Sequence, residues 1–213
     1  MLMINNLSKN YRNNTVLVSS SAKLSTGITW IKGRNGSGKS TLLKILAGLI
    51  DFKGSVIFNE RINLKKHPIA YRKLINFAES EPLFPPFFTG WDMINLFLSA
   101  KNGSLQTLAH LISDFGMDDY LGYQIESYSA GMLKKLSLVI AFTGKPELIL
   151  LDEPFITLDD DAIDKLIESI KKSMLIGTNF IITSHYSISS ALPITSTFII
   201  RDKKIETETI QCP

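Results

Sequence analysis

The sequence predicts an α/β fold with a mostly parallel sheet, antiparallel strands at the N-terminus and an inserted helical subdomain over residues 82–143. Three observations carry that expectation. A short apolar strand at Ile28–Ile31 runs into a glycine-rich turn, and a helix begins at Ser40. Leu148–Leu151 is uninterruptedly apolar, the pattern of a parallel strand covered on both faces. Between the two, Asp92–Leu98, Leu105–Phe115 and Gly131–Thr143 carry helical periodicity, which places a helical lobe inside the sheet domain.

The remaining elements follow in order. Apolar residues alternate over Leu2–Leu7 and Thr15–Val18, which predicts two short N-terminal strands. In the helix that starts at Ser40, Leu42, Leu43, Leu46 and Leu49 are expected on the buried side. Lys53-Gly54 introduces an apolar stretch at Ser55–Phe58, and Leu74–Ala78 reads as a further strand before a proline-containing loop. Pro146 separates the helical lobe from Leu148–Leu151. Asp161–Met174 then reads as an amphipathic helix, Asn179–Thr183 as a buried strand, and the stretches near Phe198–Ile200 and Lys204–Glu206 as two short strands. The 213 residues suffice for one α/β domain, 1–213, with no solenoid repeat and no heptad run.

Composition narrows the function classes. Hydrophobic residues make up 45% and charged residues 20%, so extended disorder is not expected. A net charge of +3 with scattered basic residues gives no stripe for tracking nucleic-acid phosphates, so no nucleic-acid partner is expected. The one cysteine, Cys212, can form no internal disulfide, which suits a reducing compartment. Met1–Tyr11 carries Asn, Ser and Lys where a signal peptide would be apolar, and the apolar runs fall far short of the ~18 residues of a membrane span, so a cytoplasmic protein is expected.

Gly33-Arg34-Asn35-Gly36-Ser37-Gly38-Lys39-Ser40 matches the phosphate-loop pattern in full. Its glycines let the backbone curl so that successive amide N–H groups point inward, while the following helix directs its positive N-terminal end toward the phosphates. Lys39 is expected to neutralise the β and γ phosphates, the Ser40 hydroxyl to ligate Mg2+, and Thr41 to complete the loop. The position between a strand and a helix separates the motif from an ordinary glycine-rich turn. The core therefore reads as that of a P-loop nucleoside triphosphatase.

Two carboxylates, Asp152 and Glu153, follow the apolar run Leu148–Leu151 at a strand exit, where parallel sheets place their ligands. Asp152 is expected to hold the metal and Glu153 to accept the proton of the water attacking the γ phosphate. After the next buried strand comes His185; by itself it would read as a surface or hydrogen-bonded residue, and its place after these motifs makes it a second catalytic candidate.

With these motifs in order, the chain resembles the nucleotide-binding domains of ABC transporters over nearly its whole length. Tyr11 matches the aromatic residue that stacks on adenine in that family, although a core or rim position would also account for it. Tyr128-Ser129-Ala130-Gly131-Met132 resembles the signature loop, commonly Leu-Ser-Gly-Gly-Gln, with matches at Ser129 and Gly131; Ala130 and Met132 depart from the common form. The resemblance implies that this loop binds the nucleotide of a partner subunit, so that two chains sandwich two ATP molecules. It implies that Ile156-Thr157-Leu158-Asp159 is the loop along that interface, with Asp159 at its end, and that His185 is the switch histidine at the γ phosphate.

The same resemblance implies ATP and Mg2+ as ligands, and a separate transmembrane permease that holds the chain at the cytoplasmic face of the inner membrane. The Tyr-Ser-x-Gly-Met signature looks most like that of bacterial exporters. The alternative function is a non-transport ABC ATPase acting as an assembly or scaffold factor. One departure stands out: the family's magnesium-binding glutamine is missing, with Ser80 at its position between Glu79 and Glu81, either of which is expected to support the metal, most readily through water. The aromatic loop Pro82–Trp91 either docks the membrane subunit or packs the helical lobe.

Overall fold

The structure, a computed structural model, describes residues 1–12, 14–184 and 191–208. It contains two sheets. The first is antiparallel and links β1 (Leu2–Tyr11), β2 (Asn14–Leu24), β4 (Lys53–Phe58) and β5 (Ile62–Asn63) in the order β2-β1-β4-β5. The second has the order β10-β9-β3-β8-β7-β6, from β3 (Ile28–Lys32), β6 (Ile75–Ala78), β7 (Leu148–Asp152), β8 (Asn179–Ser184), β9 (Ile194–Arg201) and β10 (Lys204–Thr207). Within it β6, β7, β8, β3 and β9 are parallel neighbours, and only β10 runs antiparallel, against β9. The expected α/β class, with N-terminal antiparallel strands beside a mostly parallel sheet, is what is found.

Side-chain alternation along the central strands feeds two cores. Ile149, Leu151, Phe180 and Ile182 point to one face of the parallel sheet, and Leu148, Leu150 and Ile181 to the other. On the second face lies α1 (Lys39–Leu46), whose Leu42, Leu43, Ile45 and Leu46 are fully buried between the parallel sheet and the Leu2, Ile4, Leu7, Val56 and Phe58 side chains of the antiparallel one. A helix apolar on several sides is stable only when sandwiched in this way.

On the first face, α3 (Gly90–Lys101), α4 (Leu105–Asp114), α5 (Ala130–Ala141) and α6 (Asp160–Leu175) share one continuous core with the sheet. The three helices between β6 and β7 therefore have no separate hydrophobic centre. Capping fixes their starts. Thr89 and Asp92 form a reciprocal capping box on α3, Ser104 caps α4, Ser129 caps α5, and Asp159 caps α6.

The structure departs from the sequence expectations in a few places. Leu49 is 55% exposed, because α1 ends at Leu46 and the chain turns at Gly48 with φ 73° before Leu49 can extend the helical stripe. The two N-terminal strands are much longer than the alternating segments Leu2–Leu7 and Thr15–Val18, since pairing continues through polar residues to Tyr11 opposite Asn14. A further helix, α2 (Pro68–Leu74), precedes β6, with Pro68 at its first position. Its Tyr71 is fully buried and donates to the Leu46 carbonyl at 2.8 Å, tying α2 to the end of α1.

Candidate active site

The carboxyl ends of β3, β8 and β7 lie side by side, because these strands are consecutive and parallel. The phosphate loop leaves the first and the two carboxylates leave the third, which is the edge of an open α/β sheet where ligands are held. The loop itself is closely wound. Gly38 caps α1 with φ 107°, in the left-handed region. At Gly33 a Cβ would approach the Ser37 hydroxyl to 2.4 Å, so a side chain there would collide with the loop it opens. Ser37 N–H donates to the Arg34 carbonyl at 3.1 Å, and the Ser37 Oγ is buried with no hydrogen-bond partner. Arg34, Asn35 and Gly36 form the exposed rim, and Ser40 and Thr41 are half-buried in the first turn of α1.

Lys39 is buried. Its Nζ donates to the Gly33 carbonyl at 2.8 Å and makes an ion pair with Glu153 Oε1 at 3.2 Å. The loop from one strand and the acid from another are thus joined through a single ammonium group. Asp152 is 1% exposed and sits opposite Thr183 in the β7–β8 register. The Thr183 hydroxyl donates to Asp152 Oδ1 at 2.6 Å and accepts the Glu153 N–H at 3.1 Å. The Thr183 carbonyl takes the same N–H at 3.2 Å.

Asp152 Oδ2, by contrast, is buried without a hydrogen-bond partner. A buried carboxylate oxygen with no donor carries a large desolvation cost, and a hard cation bound through oxygen ligands is the species that offsets it. The residues present therefore fit a magnesium site at Asp152, with the Ser40 hydroxyl at the start of α1 as the second candidate ligand. Glu153 has φ 45°, a left-handed conformation that costs a residue with a Cβ on the order of 1 kcal/mol or more.

A second cation, Lys134 of α5, is 1% exposed and donates to three backbone carbonyls: Asp152 at 2.9 Å, Glu79 at 3.0 Å and Ser80 at 3.4 Å. Burial pushes its pKa down to about 8, against the pull of Asp152 and Glu153 in the opposite direction. Sequence reasoning passed over both Lys134 and Thr183. The signals were a lysine at the i position of the buried stripe Lys134, Leu138, Ala141, and a hydroxyl closing the apolar run of β8.

Beyond β6, the Glu79 carboxylate pairs with Lys44 of α1 at 2.9 Å, while Ser80 is half-buried and Glu81 exposed. The glutamate thus faces α1, and of the two acids named from the sequence, Glu81 is the one left exposed. Tyr11, at the end of β1, is 45% exposed with Lys9 Nζ 4.8 Å from its ring centroid. Its register partner Asn14 begins the strand whose Val16, together with Gly33, Ser37, Ile200 and Lys203, lines a groove beside the phosphate loop.

Ser129 and Ala130 are exposed, and Gly131 and Met132 half-buried, at the start of α5. The Ser129 Oγ accepts the Met132 N–H at 3.2 Å, and a Cβ on Gly131 would lie 3.2 Å from the Thr157 carbonyl, so the segment around Thr157 runs against the helix start. Among the described residues, no hydrogen bond or ion pair joins Ser129–Met132 to the phosphate loop. The Asp159 carboxylate accepts the Ala162 N–H at 2.8 Å and pairs with Lys135 at 3.1 Å, and these donors hold its pKa below the usual carboxylate range. His185 lies outside the described residues.

The aromatic loop is partly packed and partly exposed. Phe84, Phe88 and Trp91 pack on the core, whereas Leu83 is 94% and Phe87 67% exposed. Leu83 lies with Pro82, Ile69, Phe77, Met93 and Phe97 along an apolar groove between α2, β6 and α3. Among the described residues no helix is long and apolar enough to cross a membrane.

Comparison with known proteins agrees with this geometry. Residues 17–156 match the family model described as "ABC transporter". The lantibiotic transport ATP-binding protein SrtF of Streptococcus pyogenes is 31% identical over 187 residues, covering 87% of this chain and 80% of its own. A zinc import ATP-binding protein, ZnuC, of a Wolbachia species is 32% identical over 198 residues, covering 91% and 76%. Among solved structures, the ATP-binding subunit of an ABC transporter superposes with a TM-score of 0.87 at 25% identity, covering 97% of this chain and 90% of that one. A dimeric ATP-binding cassette in a post-hydrolysis state with ADP and Pi has the same fold, with a TM-score of 0.82 at 18% identity over 98% of both chains. The chain therefore belongs to the ABC transporter family, as an ATP-binding ATPase subunit.

Proposed function

We propose that two copies of this chain close on two ATP molecules, and that hydrolysis reopens them and drives transport by a separate membrane permease, in the export direction. The observation that carries this reading is the junction at Lys39, where the phosphate loop and Glu153 meet around one buried ammonium, while among the described residues no hydrogen bond or ion pair joins them to the signature loop of the same chain, whose Ser129 and Ala130 are exposed. A second copy, presenting Ser129, Ala130, Gly131 and Met132, would complete each site.

In that closed state Lys39 neutralises phosphate charge, the loop amides of residues 33–41 hold the anion, and Glu153 accepts the proton of the attacking water. His185 would contact the γ phosphate, Tyr11 would face the adenine, and the loop ending at Asp159 would run along the interface. Magnesium, held by Ser40 and Asp152, would supply charge neutralisation at the phosphates. Thr183 keeps the Asp152 carboxylate and the Glu153 amide in fixed relation throughout.

The groove that Leu83 borders is suited to an apolar helix of the permease, which would hold the chain at the cytoplasmic face of the membrane. Support for export comes from the Tyr-Ser-x-Gly-Met signature and from relatives such as a cytochrome c biogenesis ATP-binding export protein of Legionella pneumophila, 29% identical over 163 residues; the zinc import relative points the other way. Light scattering tests the clamp. Glu153→Gln with Mg-ATP should double in mass from 23.8 kDa, and a monomer at high protein concentration would count against the shared site. Copurification from mildly solubilised membranes should recover the permease, and ATP-driven uptake rather than efflux in intact cells would overturn the export direction.

A further inference from the structure

Among the described residues two lysines are buried, and only one of them, Lys39, belongs to the phosphate loop. The other, Lys134, enters the same neighbourhood from α5. A lysine ammonium has three N–H donors and no acceptor, and here three backbone carbonyls receive it: Asp152, Glu79 and Ser80. Their position explains the arrangement. The β6–β7 ladder ends with Ala78 opposite Leu151, so Glu79 and Asp152 are the first residues past its last registered pair. Past that pair Lys134 bridges the two segments through their carbonyls.

Burial of a charged group is costly unless its hydrogen bonds are made, and nothing in the packing of α5 requires one here, since Leu136, Leu138, Val139 and Ile140 already provide an apolar face. We propose that Lys134 is a positioning residue for the metal-binding end of β7: by holding the carbonyls of Asp152, Glu79 and Ser80 together, it fixes the Asp152 carboxylate relative to the segment where this chain has Ser80 in place of the family's glutamine. The proposal rests on the reading of Asp152 as the metal holder. It differs from a packing role, which would leave metal affinity untouched, and it gives the β6–β7 exit a rigidity that no side chain of residues 79–81 supplies alone.

The test is nucleotide binding measured with a fluorescent ATP analogue, in EDTA and across a magnesium titration, on Lys134→Met, Lys134→Gln and Asp152→Asn. Groups that orient a ligand from outside the coordination shell typically contribute 10–100-fold to metal affinity. Lys134→Met should therefore bind nucleotide in EDTA within about twofold of wild type while its half-saturating Mg2+ concentration rises about tenfold. Lys134→Gln, which keeps two donors on a shorter neutral side chain, should rise by less, and it decides the matter if Lys134→Met does not fold. A wild-type Mg2+ midpoint in Lys134→Gln, or a loss of nucleotide binding in EDTA as large as the loss with Mg2+, overturns the proposal. If Asp152→Asn leaves the Mg2+ midpoint unchanged, the metal-holder reading itself fails. If Asp152→Asn raises it and the Lys134 variants do not, only the positioning role fails.

Discussion

Replacing Glu153 with glutamine separates the proposed role of its carboxylate as a base from the ion pair that it makes with Lys39. As the proposed base, Glu153 would accept a proton, and general base catalysis contributes typically ~10²–10⁴-fold, equivalent to roughly 3–5 kcal/mol in the barrier. As a counter-ion, it holds Lys39 at 3.2 Å between side chains that are 6% and 11% exposed. At an effective dielectric of about 20 the attraction across that distance is on the order of 5 kcal/mol, an upper scale that desolvation reduces. ATP must redirect Lys39 toward phosphate and must bring negative charge beside Glu153. Both effects oppose nucleotide binding in wild type, and both vanish in Glu153→Gln. If only about a quarter of that attraction is relieved, nucleotide affinity in EDTA should rise about tenfold. Hydrolysis, followed by phosphate release, should fall by two to four orders of magnitude at saturating ATP. The variant should therefore bind more tightly and turn over far more slowly. Turnover within tenfold of wild type would refute the base assignment, and an affinity below wild type would refute the competition for Lys39.

Saturating Mg-ATP at about 100 times Kd should stabilise wild type by about 2.7 kcal/mol, or roughly 5–10 °C in Tm, and Lys39→Ala should lose most of that shift; equal shifts in a thermal melt would sink the phosphate-loop assignment. Leu83→Ser with Phe87→Ser, both at exposed positions, should leave the Tm and basal ATPase rate within error while abolishing recovery with the permease; unchanged recovery would move the docking surface elsewhere. Lys101 offers a pH test. Burial holds its pKa down to about 8, below the value of roughly 10.4 in an unfolded chain, so between those values the unfolded state binds the extra proton and stability must rise with pH. In urea denaturation, wild type should gain stability relative to Lys101→Met between pH 8 and pH 10; a flat or falling difference would contradict the burial argument.

The parallel sheet was legible because its central strands are apolar on both faces, and Leu148–Leu151 and Asn179–Thr183 occupy β7 and β8 almost to the residue. The helices of the lobe were legible from their periodicity, while their starts are set by Thr89, Ser104 and Ser129, which cap them. What escaped followed from tertiary context. A lysine normally marks the solvent side of a helix, so nothing in the pattern of α5 singled out Lys134, to which the fold brings one carbonyl from β7 and two from the segment after β6. Leu49 continued the apolar stripe of α1 on paper, but Gly48 ended the helix first. α2 lies in Pro68–Leu74, where only Tyr71 is buried, too little apolar patterning to announce a helix.

The residues Asp152 and Glu153 were legible as a pair, yet their cooperation depends on a feature of the backbone that their identities do not encode. Consecutive residues in a strand point to opposite faces, so two adjacent carboxylates can serve one site only if the chain leaves strand geometry between them. It does so at Glu153, whose φ of 45° is strained for any residue with a Cβ. Two neighbours maintain that strain. Pro154 disfavours the ordinary helical alternative for the residue before it, and the Thr183 carbonyl and hydroxyl both accept the Glu153 amide. With the backbone so held, the Glu153 carboxylate turns back to Lys39 while Asp152 stays bonded to Thr183 in the sheet. A chain with the same two acids but without the proline and the threonine would be free to relax Glu153 into extended backbone, and its carboxylate would then point away from the phosphate loop.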